Sequence, residues 1–238
     1  MKLVRWESLP KEMQTEEVKV YYDKLSKKKS NLKLKRVFDV VVSFCLLVVL
    51  FPLFVLLAIA IKIDSKGPVF YRQERVTQYN KVFRIYKFRS MYIDADKGSQ
   101  ITVDKDDRIT RVGRIVRTCR LDEISQLINV LKGEMTLVGT RPEVPKYVEQ
   151  YTKEMLATLL LPAGVTSLAS IYFKDEASYF TGKENVDDIY VSVILPKKMH
   201  YNLKSMDQIS LFSDIKVMCM TVFSMFVKES KDNERREK

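Results

Sequence analysis

Histidine and cysteine are scarce in this chain, and each scarcity removes chemistry. His200 is the only histidine among 238 residues. Zinc sites built on two or more histidines are therefore excluded, and a Ser-His-Asp relay has a single candidate base. His200 itself reads as a surface or packing residue. Of the three cysteines, Cys45 sits in an apolar run, while Cys119 and Cys219 are isolated. Neither a disulfide framework nor a paired metal site follows from that spacing, and a reducing compartment fits it. Charge is missing from one long stretch. Between Val40 and Ile61 there is no Asp, Glu, Lys or Arg, a run longer than the roughly 20 residues that cross a hydrocarbon layer. Internal repeats and low-complexity tracts are also absent.

The remainder is basic. A net charge of +11 and a pI near 9.4 imply an anionic partner: nucleic acid, lipid head groups or a phosphorylated substrate. The length allows one ordinary domain with appendages. Residues 1–31 form a polar extension, read as a short helix or a loose tail, and residues 32–66 contain the apolar segment. Residues 67–227 have the composition of an α/β domain, and residues 228–238 are a charged tail.

Basic residues flank the apolar run on both sides: Lys27 to Arg36 before it, and Lys62, Lys66, Arg72 and Arg75 after it. A secretory signal would have a shorter leader and a core of roughly 7–15 residues. A spanning helix would concentrate its positive charge on one side. Pro52 near the middle removes a helical donor and favours a bend. The residues alone leave two readings open, a segment that dips in and returns or a spanning helix with a tolerated kink.

Val69–Tyr71 and Val82–Tyr86 read as strands. Ile124, Leu127, Ile128 and Leu131 fall at helical spacing, so a short amphipathic helix is expected from near Asp122, stopping at Lys132-Gly133. Ile209–Val227 is a second amphipathic stretch, suited to a membrane interface or to core packing.

Asp122 and Glu123 are adjacent carboxylates behind Arg111, Arg114, Arg117 and Arg120, whose spacing of three lays positive charge along a helical face. Such carboxylates are kept ionised and suit a nucleophile or a magnesium ligand, although aspartate is also a common helix cap. Lys87-Phe88-Arg89-Ser90-Met91 and Gly139-Thr140-Arg141-Pro142-Glu143 each offer cations that could grip phosphate or a base. Asp94-x-Asp96 and Asp104-x-Asp106 have the form of metal-holding pairs in nucleotide-sugar glycosyltransferases, which would transfer the sugar alone and release UDP. Two such pairs in one acidic, turn-rich region read as a solvated loop.

Together these pieces resemble the bacterial sugar transferase family, small monotopic phosphoglycosyl transferases. The resemblance runs through Lys35-Arg36-Val37-Phe38-Asp39, Gly67-Pro68-Val69-Phe70-Tyr71-Arg72-Gln73-Glu74-Arg75, Lys87-Phe88-Arg89-Ser90-Met91 and Asp107-Arg108-Ile109-Thr110-Arg111-Val112-Gly113-Arg114. It continues from Leu121 to Met135 and from Leu137 to Pro142. It implies a mostly helical α/β fold: a re-entrant membrane helix broken at proline, then a small catalytic domain with interfacial amphipathic helices. The family's usual Ser-Pro at the break is Phe51-Pro52 here.

The resemblance also implies chemistry. Asp122 would attack a UDP-sugar and release UMP, and the sugar phosphate would pass to a polyprenyl phosphate, the first membrane step of capsule, exopolysaccharide or glycoconjugate synthesis. Glu123 would help hold Mg²⁺. Lys87, Arg114 and Arg117 would neutralise the diphosphate, Arg117 best matching the family's arginine upstream of the pair. Thr140-Arg141-Pro142 stands where the family has Pro-Arg-Pro beside uridine. Asp187 resembles a functional aspartate, with Asp188 as its alternative, and Lys174 stands near the place of a later arginine. The expected setting is the cytoplasmic face of a bacterial inner membrane, in contact with its lipids, with homo-oligomerisation left open. A nucleic-acid-binding protein would need a basic groove with stacking aromatics, and no recognised motif supplies one, so no nucleic-acid partner is expected.

Overall fold

A computed structural model describes residues 1–93, 108–173 and 186–226. The two Asp-x-Asp pairs, Lys174 and the 228–238 tail lie outside those residues.

The extension is folded. Helix α1 (Glu16–Ser26) starts at Thr15, whose side chain accepts from the Val18 amide. Its Val18 and Leu25 are buried in one core cluster with Met13, Leu159, Leu160 and Met206. The helical reading of this extension therefore describes it, and the loose tail does not.

Helix α2 (Lys29–Asp64) is 36 residues long, about 54 Å at 1.5 Å per residue. The helix continues through Pro52, so the expected break is not an interruption of secondary structure here. One face packs on the rest of the protein along most of its length. Phe38, Val42, Leu47 and Leu50 meet one core cluster, and Leu53, Phe54, Leu57 and Ile61 meet another. The opposite face exposes Val37, Val41, Phe44, Val48, Val49, Phe51, Val55, Leu56, Ile59 and Ile63, an apolar surface that water does not favour.

Strands β1 (Phe70–Thr77) and β2 (Lys81–Phe88) form an antiparallel hairpin in the register Phe70↔Phe88 to Thr77↔Lys81; β2 contains the expected Val82–Tyr86, while β1 starts one residue after the expected Val69 and runs six residues past Tyr71. Helix α3 (Arg111–Thr118) is capped by Thr110, whose hydroxyl accepts from the Gly113 amide at 2.9 Å. A Cβ on Gly113 would collide with the Ser90 carbonyl, so this helix rests directly on the residues after β2. A 3₁₀ segment (Leu121–Gln126) leads into α4 (Leu127–Lys132), which ends at left-handed Gly133 as its sequence indicated.

Strands β3 (Met135–Val138) and β4 (Ala163–Thr166) pair in parallel. The C-terminal half is helical: α5 (Pro145–Val148), α6 (Leu168–Tyr172), α7 (Val186–Ile189), a π-helical turn (Tyr190–Ile194), α8 (Leu195–Asp207) and α9 (Leu211–Phe226). The described residues are thus mostly helical, with two two-stranded sheets.

Candidate active site

The adjacent carboxylates do not open an α-helix. Arg120 adopts left-handed φ 52° and ψ 29°, turning the chain sharply out of α3. Asp122 and Glu123 then fall in the 3₁₀ segment, so the expected helix start near Asp122 lies at Leu127 instead. The expected arginine stripe is also cut, since α3 ends at Thr118 and Arg120 follows in the turn.

Two buried polar side chains fix this segment against β2. Ser125 donates to the Tyr86 carbonyl at 3.0 Å. Asn129 accepts from the Tyr86 amide at 2.9 Å and donates to the Arg84 carbonyl at 3.1 Å. The hairpin's end is thereby held beside the carboxylates. Lys87, next to Tyr86, brings its ammonium to 3.6 Å from Glu123 Oε1.

Arg141 completes the arrangement from the loop after β3. Its guanidinium forks onto Glu123, with Nη1 donating to Oε2 at 3.1 Å and Nη2 to Oε1. A planar fork against a carboxylate is the strong form of such a bond. No described side chain donates a hydrogen bond to the Asp122 carboxylate.

The two carboxyls are driven apart. Burial alone would raise Glu123, but Arg141 and Lys87 outweigh it and hold the group well below the usual carboxylate range. Burial and the neighbouring Glu123 charge raise Asp122, with Lys87, Arg117 and Arg141 opposing. Burial lowers Lys87, and Glu123 opposes that shift. Neighbouring carboxyls with opposed shifts are a common mark of a reactive centre.

Lys87, Arg117 and Arg141 thus act on the pair, and so does Arg120 through its charge near Glu123. Arg114 is exposed on α3, and no hydrogen bond or ion pair joins it to either carboxyl among the described residues. Pro142 is buried beside Arg141. Asp187 is placed elsewhere, accepting from Lys146 and, at 2.7 Å, from the Tyr147 hydroxyl. Arg89, read as a phosphate grip, turns to the end of α2, donating to the Lys66 carbonyl at 2.5 Å and the Ser65 carbonyl at 2.7 Å. An open carbonyl end of a helix attracts a cation. His200 is exposed on α8.

The sequence matches the family described as bacterial sugar transferase over residues 30–228. The chain belongs to this family. Among its relatives, a UDP-glucose:undecaprenyl-phosphate glucose-1-phosphate transferase of Klebsiella pneumoniae is 33% identical over 204 residues, covering 84% of this chain and 42% of that protein. A UDP-N-acetylgalactosamine-undecaprenyl-phosphate N-acetylgalactosaminephosphotransferase of Aeromonas hydrophila is 43% identical over 123 residues, 51% of this chain and 29% of its own length. An uncharacterized sugar transferase of Bacillus subtilis is 33% identical over 198 residues, 82% of this chain and 89% of its own length. This bacterial sugar transferase chain therefore spans less than half of the first two relatives, and the sugars in their names differ.

Proposed function

We propose that this chain transfers a sugar 1-phosphate from a UDP-sugar to a polyprenyl phosphate and releases UMP. The observation that carries the reading is the opposed pair: Asp122, with no hydrogen-bond donor among the described residues, beside a Glu123 forked by Arg141 and approached by Lys87. An Asp122 oxygen would attack the β-phosphorus, and the bond to the UMP oxygen would break. The sugar phosphate would then be carried on the carboxylate. An oxygen of the polyprenyl phosphate would attack that phosphorus next, freeing Asp122 and forming the lipid-linked product. Lys87, Arg117, Arg120 and Arg141 would offset the negative charge that otherwise keeps a carboxylate from a diphosphate.

Among the described residues no cluster of three or more His, Cys, Asp or Glu side chains could hold a metal. Mg²⁺ needs fewer, because it keeps waters and takes substrate phosphates as ligands. Asp122 and Glu123 fit that requirement, each Glu123 oxygen keeping a lone pair beyond its bond from Arg141. Glu123 would hold the ion, which would supply further charge neutralisation on the diphosphate.

The proposed membrane arrangement is re-entrant, with both ends of α2 on the cytoplasmic face of an inner membrane. Supporting it, both ends are tied to the same domain. Arg36 donates to the Val130 carbonyl at 2.7 Å and the Leu131 carbonyl at 3.1 Å, while Asp64 accepts from the Val112 amide at 2.9 Å. The exposed apolar face between them would lie in lipid.

The function is tested by incubating the protein in lipid nanodiscs with undecaprenyl phosphate, Mg²⁺ and a panel of UDP-sugars. UMP release with one sugar, and without UDP, is expected. UDP release would instead identify a glycosyltransferase. Topology is tested after replacing the exposed Cys45, Cys119 and Cys219, with new cysteines at Asn31 and Ser65. Both should react with an impermeant thiol reagent only once the inner membrane is opened, and labelling of one from the periplasm would refute the re-entrant arrangement.

A further inference from the structure

Behind the Arg141 fork lies another ionic cluster, which the phosphoryl chemistry does not use. Glu143 follows Arg141 by two residues, and Lys198 belongs to α8. Their side chains are only 6% and 5% exposed. The Lys198 ammonium donates to Glu143 Oε1 at 3.1 Å and to the Tyr190 hydroxyl at 2.9 Å, and that hydroxyl donates to the same Oε1 at 2.6 Å. The loop is held from its other side by β1. The Val76 amide donates to the Glu143 carbonyl at 2.9 Å, and the Arg75 guanidinium donates to the Pro142 carbonyl at 3.2 Å.

The cluster reaches farther. The Tyr190 ring packs on Tyr147 at a centroid distance of 4.5 Å, and the Tyr147 hydroxyl donates to Asp187 at 2.7 Å. Asp187 is therefore connected to the Arg141 loop through two tyrosines and Glu143.

A buried ion pair is an inefficient stabiliser, because desolvation consumes most of the Coulomb attraction and an apolar pair of similar shape often does as well. What charged hydrogen bonds add is direction. A guanidinium meets both oxygens of a carboxylate only within a narrow range of loop positions. Glu143 is the residue through which α8 can set that position.

We infer that Lys198 is a positioning residue for Arg141: by holding Glu143 it fixes the loop so that the guanidinium engages both Glu123 oxygens and leaves Asp122 undonated. This inference rests on reading Asp122 and Glu123 as the reactive pair.

Lys198→Met alone would strand a buried carboxylate and threaten folding, so the main variant is Lys198→Met with Glu143→Gln. It removes both charges and lets Tyr190 keep a bond to the amide oxygen. Two measurements are made on full-length protein in nanodiscs. Amide hydrogen exchange of residues 139–144, without substrate, should quicken about tenfold or more while the rest of the protein keeps its protection. In UMP release, kcat/KM should fall about 10- to 100-fold, yet the same pair of changes in an Arg141→Lys background should cost no more than about twofold, because the group being positioned is already gone.

Unchanged exchange at 139–144 overturns the inference, and so do losses that multiply in the combined variant. If the neutral pair fails to fold, Lys198→Arg takes its place, with the same sign expected in both measurements and a smaller size. If wild type releases UMP from no UDP-sugar, the reaction reading fails, and exchange alone decides whether Lys198 holds the loop.

Discussion

The Lys35 cluster and the Glu123 cluster both join cations to carboxylates, and they are finished differently. At the junction of α2, β3 and α9, Lys35 sits 2.5 Å from Asp214 Oδ2 and 4.0 Å from Asp39 Oδ1. Asp39 is wholly buried and its oxygens are occupied, accepting from the Thr136 hydroxyl at 2.6 Å and the Leu137 amide at 3.3 Å. At the other cluster Glu123 is equally engaged, but Asp122 beside it receives no described donor, and the Glu123 side chain keeps 21% exposure. Saturated charges hold elements together, whereas an unsaturated carboxylate facing several cations is prepared for an incoming group.

The sharpest way to break that contrast is Asp122→Asn. It keeps the shape and removes the proposed nucleophile, so UMP release should fall by three orders of magnitude or more, on the order of 4 kcal/mol in the barrier. With UDP-sugar and no lipid acceptor, wild type should gain the mass of a sugar phosphate on the peptide carrying Asp122, and the variant should gain none. Near-normal turnover by the variant would reduce Asp122 to a structural residue.

Lys35→Met should do the reverse, leaving two buried carboxylates uncompensated. A loss of about 3–5 kcal/mol of stability is expected, read as a lower denaturation midpoint, with turnover of the remaining folded protein close to wild type. A variant equally stable but inactive would move this cluster into the reaction.

Lys87→Met sharpens the contrast through pH. Burial and Glu123 already raise the Asp122 carboxyl, and Lys87 is among the cations restraining it. Attack needs the ionised form, so the rate of adduct formation falls as pH drops through that raised value. Removing a nearby cation disfavours the charged form further, and the acid limb of the profile should move upward. An unmoved limb would show that Lys87 does not act on Asp122.

Arg120→Gly is expected to have the smallest effect. A non-glycine residue in the left-handed region costs about 1–2 kcal/mol, partly offset by the roughly 0.5–1 kcal/mol of backbone entropy that glycine loses on folding. The variant should be as stable as wild type or up to about 1.5 kcal/mol more so, while kcat/KM falls several-fold with the lost cation. A lower melting temperature would show that Arg120 makes contacts outweighing its strain.

Much of the frame was legible from local pattern. The charge-free run became α2, the two strand-like stretches became the hairpin, and Lys132-Gly133 closed α4, because each depends on neighbours in the chain. The carboxylate pair was legible through motif resemblance, and Arg141 with it. The 3₁₀ geometry was hidden, since regular arginine spacing predicts one continuous face and nothing local announces the turn at Arg120. Lys198 was hidden for another reason. It lies in the basic pair Lys197-Lys198, which carries no motif, and its burial involves a partner 55 residues away, Glu143. Arg89 likewise shares a motif with Lys87 yet serves the end of α2, a destination that strand pattern does not encode.

That destination of Arg89 has a geometric result. Two positions along an extended chain are separated by less than about 7 Å, so the cation reaching Glu123 and the cation clasping the end of α2 belong to one short rigid rod. With α2 in the leaflet as proposed, the elevation of the Asp122–Glu123 pair above the lipid plane would be set by that rod and not by a hinge. A long-chain acceptor would then arrive by lateral diffusion, its phosphate already at working height. Its search would be confined to two dimensions, while the water-soluble donor comes from the third.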